Sequence, residues 1–134
     1  MQKGGSAPIM DVIDYGEPVT TKGLNMLYGP GNDLVSATAL TAAGAHMVLF
    51  STGRGTPFGA PAPTLKIATN SQLAARKKTW IDFNAGVVAD GERTLDEAGA
   101  DLYRLVLDVA SGKQTCAEKK GFREISIFKD GVVL

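Results

Sequence analysis

The stretch "MVLFSTGRGTPFGAP", Met47 to Pro61, decides the fold, because an apolar run passes there directly into a loop rich in glycine. Met47 to Phe50 is apolar without alternation, which predicts a strand that is covered on both faces. The loop that follows contains three glycines, two prolines and a single arginine, Arg54. Such a loop is either a long surface turn or an anion-binding loop at the mouth of a site. The rest of the sequence has to distinguish the two.

Length and charge bound the class of protein. A chain of 134 residues is expected to form one domain with a sizeable core. Its 14 basic and 14 acidic side chains balance, which argues against binding nucleic acid or an anionic membrane through bulk charge. The densest basic run, Arg76-Lys77-Lys78, is predicted to be a solvated helix end.

Cysteine usage and the lack of long apolar segments predict a cytoplasmic protein. No apolar stretch approaches the roughly 20 residues of a membrane span, and Met1 to Ser6 lacks the apolar core of a signal peptide. Cys116 is the only cysteine, which excludes an internal disulfide and a multi-cysteine zinc site. We therefore expect a cytoplasmic setting and no membrane partner.

Strand and helix patterns alternate on both sides of the opening stretch. In chain order they predict a short helix within Pro8–Tyr15, a strand Leu24–Tyr28, a helix Leu34–Gly44, strands at Met47–Phe50 and Leu65–Ala68, a helix Leu73–Lys77, a strand Trp80–Phe83, a helix Leu95–Ser111 and a last strand Phe122–Phe128. Asp130-Gly131 predicts a turn. The long helix has the clearest start, because Thr94 and Glu97 form a capping box.

This order predicts an α/β fold. We expect a connector and a short helix over residues 1–22, followed by a single Rossmann-like, three-layer domain over residues 23–134 with a mainly parallel sheet flanked by helices. In such sheets ligands bind beyond the carboxyl ends of the strands. Four loops would share that edge, at residues 29–33, 51–60, 69–71 and 82–86. The glycine-rich stretch therefore belongs to a candidate site.

Arg54 is the strongest candidate for binding a ligand. It lies between Gly53 and Gly55, so neighbouring side chains cannot shield its guanidinium, which suits a carboxylate or phosphate. Thr52 and Thr56 add hydroxyl groups. The pattern matches neither a Walker loop nor GxGxxG. A structural turn stays open as the alternative.

Oxygen-bearing side chains in the neighbouring loops form a second group of candidates. Asp82 and Asn84 could orient substrate hydroxyls or take part in a hard-cation site. Asp33 and Asn70 stand where helix caps belong, and we predict capping for both. His46 begins an apolar run and is predicted to be structural. No complete catalytic set is recognisable, so the catalytic and metal-binding residues stay unassigned.

Several motifs resemble one enzyme family. Phe50 to Gly59, FSTGRGTPFG, is similar to the glycine-rich segment of the altronate and galactarate dehydratase family. Further segments follow in the order of that family: Gly5–Ile9, Tyr15–Glu17, Ala42–Ala45, Asp82–Gly86, Asp90–Glu92 and Val109–Lys113. Lys66–Ser71 and Gln114–Glu118 resemble the galactarate branch more closely.

The resemblance implies the C-terminal part of a longer hydro-lyase. Such an enzyme removes water from galactarate or altronate to leave a keto-deoxy sugar acid, typically with ferrous iron or another divalent cation. It implies proton abstraction beside a carboxylate that Arg54 would anchor, with Thr52, Gly53, Gly55, Thr56, Asp82 and Asn84 as further substrate-binding residues.

The same resemblance sets the expected partners and the alternatives. The base and the metal ligands would lie upstream, so this chain alone would be inactive and no cofactor is evident from its own residues. The partners implied are an aldarate or aldonate, the rest of the same polypeptide and, as an option, a second copy in a homodimer. Two alternatives stay open: a structural interface domain without catalytic residues, and a subunit of a sulfolactate sulfo-lyase.

Overall fold

The computed structural model describes residues 5–126. Within that range the chain forms two compact units, one comprising residues 5–45 with 125–126 and the other residues 46–124. Both combine parallel strands with at least one helix, so the predicted α/β class is confirmed. The predicted boundary at residue 22 does not separate these units, because two strands pair across it. No helix within residues 5–126 has the length and apolar composition to cross a membrane.

The first unit contains a two-stranded parallel sheet and one helix. Strand β1 (Ile9–Ile13) pairs with β2 (Leu24–Leu27), and helix α1 (Asp33–Ala42) follows. Asn32 caps α1 by accepting hydrogen bonds from two backbone N–H groups, so the cap predicted at Asp33 is wrong: Asp33 is the first residue of the helix itself. Gly44 comes just after its last turn with a φ of 111°, as expected of a residue at this position.

The second unit is built on a three-stranded parallel sheet. Strand β4 (Thr64–Ala68) lies in the centre, between β3 (Val48–Thr52) and β5 (Phe83–Asn84). Its residues Leu65 and Ala68 are completely buried, as the apolar pattern predicts for a strand covered on both faces. Because all three strands are parallel, their carboxyl ends meet at one edge.

Four helices complete the second unit. They are α2 (Ser71–Arg76), α3 (Gly86–Ala89), α4 (Leu95–Ala110) and α5 (Cys116–Lys119). The capping box predicted at Thr94 and Glu97 is present at the start of α4, and Thr115 and Glu118 form another at the start of α5. The core beside the sheet is formed by Ala68, Leu73 and Ile81.

Several predictions about local structure are wrong or only partly right. The strand predicted at Trp80–Phe83 is only Phe83–Asn84, the two residues that pair with β4. The helix within Pro8–Tyr15 is strand β1 instead, because β-branched side chains favour a strand and β2 supplies a pairing partner. β3 is not covered on both faces within the described chain, since Leu49 is 51% exposed. The apolar spacing of α4 predicts that Leu95 belongs to the buried stripe of this helix, but Leu95 is its first residue and is 75% exposed.

A further difference concerns the last predicted strand. Residues 122–126 contain no strand, and the remainder of Phe122–Phe128 lies outside the described residues. The predicted turn at Asp130-Gly131 also lies outside them.

Candidate functional site

The carboxyl ends of β3 and β4 are joined by direct hydrogen bonds. The backbone N–H of Thr69 donates to the carbonyl oxygen of Thr52 over 3.0 Å, and the Thr69 hydroxyl donates to the same oxygen over 3.3 Å. Three of the four loops expected at one edge, predicted at residues 51–60, 69–71 and 82–86, follow strands of one sheet at residues 53–60, 69–71 and 85–86. Asp82 does not lie in the last of these loops, because it precedes β5 instead of following it. The fourth, residues 29–33, follows β2 in the first unit.

Residues 53–60, which we call the glycine-rich loop, begin with four carbonyl groups that are all held by side chains. These bonds are Asn70 Nδ2 to Gly53 O at 3.1 Å, Lys77 Nζ to Arg54 O at 3.1 Å and to Gly55 O at 3.2 Å, and Lys66 Nζ to Thr56 O. The donors are Lys66 in β4 and the two residues that flank α2, Asn70 and Lys77. The start of the loop is thus fixed in one conformation by the helix and strand beside it.

The held carbonyls determine where the N–H groups of the loop point. In a trans peptide the C=O and the N–H point in opposite directions, and no described peptide bond is cis. Because Gly53 O faces Asn70 and Gly55 O faces Lys77, the N–H groups of Arg54 and Thr56 point away from those donors. Neither N–H group has a hydrogen-bond partner within residues 5–126.

Arg54 adds a charged donor to the loop. Its side chain is exposed and forms no ion pair or hydrogen bond with any other described residue. Two backbone N–H groups and a guanidinium are the donors that bind a carboxylate or a phosphate. The loop is therefore chemically suited to an anion.

Gly55 is required by the shape of the loop. Its φ of 82° lies in the left-handed region, where a side chain is strained. A Cβ atom there would also come within 3.0 Å of the Lys77 side chain and 3.1 Å of Leu73. Its N–H donates to Thr52 Oγ1 over 2.9 Å. Thr52, predicted to bind substrate, thus supports the turn through its hydroxyl oxygen.

Lys66 lies beneath the loop and is 1% exposed. Its ammonium group donates to Thr56 O and lies 5.5 Å from the ring centroid of Phe58 and 5.8 Å from that of Phe122. Burial lowers the pKa of Lys66 from its ordinary value, while the charges of Asp82 and Glu124 oppose this change. A buried cation therefore supports the loop from below.

Asp82 joins two backbone segments through its carboxylate. One oxygen accepts from the N–H of Lys66 over 2.8 Å, and the other accepts from the N–H of Cys116 over 2.7 Å. Both oxygens are thus engaged by backbone groups.

Burial, together with the charge of Asp82, raises the pKa of the Cys116 thiol to about 11, so the thiol is protonated at neutral pH.

Asn84 connects β5 with the helix starts at the same edge. Its Nδ2 donates to the Ser71 hydroxyl over 2.9 Å, and its Oδ1 accepts from Gly86 N over 3.0 Å. The Ser71 hydroxyl in turn donates to Asp90. This chain of bonds fixes α2, β5 and α3 relative to one another.

The sequence predicted some of this site and missed its supports. Gly53, Arg54, Gly55 and Thr56 lie together in the loop, Asn70 caps α2 as expected, and Asn84 lies at the same sheet edge. Lys66 stands out in the sequence only as part of a motif. The prediction that Lys77 is solvated is wrong, because its ammonium group bonds two carbonyls of the loop. Two features of the sequence indicate these roles. Lys66 stands within an apolar strand, and Lys77 stands three positions before Trp80, whose ring can bind a cation.

The described residues do not offer a metal site. Residues 5–126 contain no group of three or more His, Cys, Asp or Glu side chains that could hold a metal ion. The donor set of these residues therefore does not fit the divalent cation implied by the resemblance.

Comparisons with known proteins agree on one family. The family model described as D-galactarate/Altronate dehydratase, C-terminal, matches residues 1–133. The chain is 54% identical to the altronate dehydratase of Escherichia coli and 49% identical to that of Bacillus subtilis, covering 99% of this chain and 27% of each relative. Identity to the galactarate dehydratase (L-threo-forming) of E. coli is 39%, over 98% of this chain and 26% of the relative. The chain thus spans about a quarter of the length of the curated relatives it matches.

These identities correct the predicted branch. The chain is more similar to the two altronate dehydratases than to the galactarate dehydratase, so the closer resemblance to the galactarate branch is wrong. Lys66–Ser71 and Gln114–Glu118 are short segments, and identity over the whole chain outweighs them. The β subunit of the (2R)-sulfolactate sulfo-lyase of Chromohalobacter salexigens is more distant, with 32% identity over 92% of this chain and 32% of that subunit.

Proposed function

The chain belongs to the family of C-terminal domains of D-galactarate and altronate dehydratases, and on this premise we propose that its glycine-rich loop binds the substrate carboxylate of a sugar-acid dehydratase. The substrate would be altronate or a related aldonate or aldarate. The reaction would remove water and leave a keto-deoxy sugar acid. The polypeptide that contains this chain would therefore be a hydro-lyase.

One observation carries the proposal. The four successive carbonyls of residues 53–56 are held by side chains, whereas the N–H groups of Arg54 and Thr56 and the Arg54 guanidinium have no partners in the described chain. A loop that only closed a turn would not need two lysines to hold it. Donors fixed before the ligand arrives bind it at a lower entropic cost.

The chemistry of dehydration gives these donors a role. Abstraction of the proton beside the carboxylate transfers that proton to a base and leaves an enediolate, on which negative charge builds up. The hydroxyl on the next carbon then leaves as water after receiving a proton from an acid. Fixed N–H groups and a guanidinium stabilise the developing charge without having to reorganise. We propose that the base, the acid and the divalent cation lie outside residues 5–126.

Asp82 and Asn84 support this site through other residues. Asp82 joins the backbones of β4 and α5, and Asn84 joins α2, β5 and α3. We propose that they hold the edge on which the loop rests. A direct contact of Asn84 with a substrate hydroxyl stays a prediction, because its side chain already bonds Ser71 and Gly86.

Substitution of Arg54 tests the proposed function. Arg54→Lys keeps the charge but removes the fork of donors, so we expect binding to survive weakly and the substrate to be badly positioned. Loss of a bidentate, charge-assisted contact should cost about 2–4 kcal/mol in transition-state binding, or roughly 30- to 1,000-fold in kcat/KM. The measurement is the rate of altronate dehydration by the full-length polypeptide that carries this chain.

The same experiment separates the alternatives. Arg76→Lys is the matched control, since Arg76 is also exposed but lies in the last turn of α2. Near-normal kinetics for both Arg54→Lys and Arg54→Ala would favour a structural interface domain. Elimination of sulfite from sulfolactate, with no turnover of altronate or galactarate, would favour the sulfo-lyase.

A further inference from the structure

We propose that Lys77 is a positioning residue that holds the glycine-rich loop in its anion-binding conformation. The inference rests on the proposed function of the loop and adds a residue that does not itself need to touch the substrate.

Lys77 is placed to hold two carbonyls at once. It is the C-cap of α2, and its backbone N–H bonds Leu73 O, so its own position is fixed. Its ammonium group bonds Arg54 O and Gly55 O over 3.1 and 3.2 Å. The same group lies 4.6 Å from the ring centroid of Trp80, a distance that favours a cation–π interaction.

The bond to Gly55 O controls a donor that faces the ligand. Gly55 C=O and Thr56 N–H belong to one planar peptide, so rotating the carbonyl rotates the N–H with it. With Lys77 in place, the N–H of Thr56 points away from α2. Without the ammonium group, both carbonyls lose their only donor within residues 5–126, and the peptide is free to turn towards water.

The neighbouring Lys78 provides a control for charge. It carries the same charge one residue away, is exposed, and has no hydrogen bond or ion pair within the described chain. Long-range attraction of an anionic substrate would be affected similarly by losing either lysine. Only loss of Lys77 removes the bonds to the loop.

The experiment compares Lys77→Met with Lys78→Met in the full-length polypeptide. Methionine keeps an unbranched apolar side chain against Trp80 but has no donor. We expect Lys77→Met to raise KM for altronate and to lower kcat, with a fall in kcat/KM of about 10- to 100-fold. Lys78→Met should stay within about twofold, because an exposed charge is screened by salt. Lys77→Arg, which restores donors, should recover most of the loss.

Three further outcomes decide between the inference and the function beneath it. If Lys77→Met matches Lys78→Met while Arg54→Lys is impaired, the loop binds substrate but Lys77 does not position it. If Lys77→Met lowers only the melting temperature and the folded enzyme keeps its kinetic constants, Lys77 is merely structural and the inference fails. If the Arg54 variants are as active as the wild type, the proposed function is wrong, and the inference about Lys77 that rests on it is wrong as well.

Discussion

Lys66 shows how a single residue can connect the core with the site. It occupies the middle of the central strand, where an apolar residue would pack without cost, yet it carries an ammonium group to the underside of the glycine-rich loop. Desolvation of that charge opposes folding. The hydrogen bond to Thr56 O and the rings of Phe58 and Phe122 offset part of this cost.

The lowered pKa of Lys66 predicts a pH dependence of stability. Between its folded-state pKa and the ordinary value of 10.5, the unfolded chain binds more protons than the folded one. The free energy of unfolding should therefore rise with pH through this window, by at most about 1.4 kcal/mol per pH unit. This gain in the free energy of unfolding is complete above pH 10.5 and is lost as the pH falls through the folded-state pKa of Lys66.

Denaturant unfolding of the wild type and of Lys66→Met, from neutral pH to 10.5, checks this prediction. The difference in free energy between the two proteins should grow in favour of the wild type as pH rises. Lys78→Met, which removes an exposed lysine, serves as the control and should give a flat difference. A flat difference for Lys66→Met as well would mean that the buried lysine keeps its ordinary pKa.

Among the structural elements, the start of α3 has the tightest packing requirement. A Cβ atom at Gly86 would lie 2.2 Å from the backbone nitrogen of Ser71 and 2.5 Å from the carbonyl carbon of Asn70. These are backbone atoms at the start of α2, so they cannot move aside without shifting that helix. Close approach of two backbones therefore fixes the sheet edge beside the loop.

Gly86→Ala should consequently destabilise the protein by about 1–3 kcal/mol, as overpacking does. Gly99→Ala is the matched control, because Gly99 lies within α4 and nothing approaches its Cβ position within 4 Å. Removing that glycine should stabilise the helix by about 0.5–1 kcal/mol. Melting curves of the two variants provide the test, and equal shifts in one direction would contradict it.

The elements differ in how well sequence predicts them, and the difference has a physical cause. Helices α1, α2 and α4 carry their signals locally, in the caps Asn32, Asn70 and Thr94. β1 does not, because the apolar spacing of Ile9, Val12 and Ile13 fits a helix as well as a strand. Only pairing with β2, which lies some fifteen positions further on, decides between the two.

At the scale of the whole molecule, the sequence could predict the loop but not what holds it. The order of strands and helices brings residues 53–56 to the carboxyl edge, since parallel strands place their loops together. The bonds from Lys66 and Lys77 depend on side chains that reach across 10 to 23 positions of the chain. From sequence alone a basic residue is predicted to be solvated, because the backbone carbonyls that accept its hydrogen bonds come close to it only in the folded chain.

The share of the relatives that this chain covers leads to the last prediction. The chain matches 27% of the altronate dehydratase of E. coli, and its described residues contain no metal-binding cluster. We therefore expect no keto acid above background when the chain alone is incubated with altronate and ferrous iron.

Replacing the matching segment of the E. coli enzyme by this chain should give an active chimera, because 54% identity over 133 residues predicts a closely similar backbone. Arg54→Ala in that chimera should reduce kcat/KM by at least about 30-fold, whereas Arg76→Ala should not. Turnover by the chain alone would mean that its own residues carry the base, and a folded but inactive chimera would mean that the loop does not serve altronate.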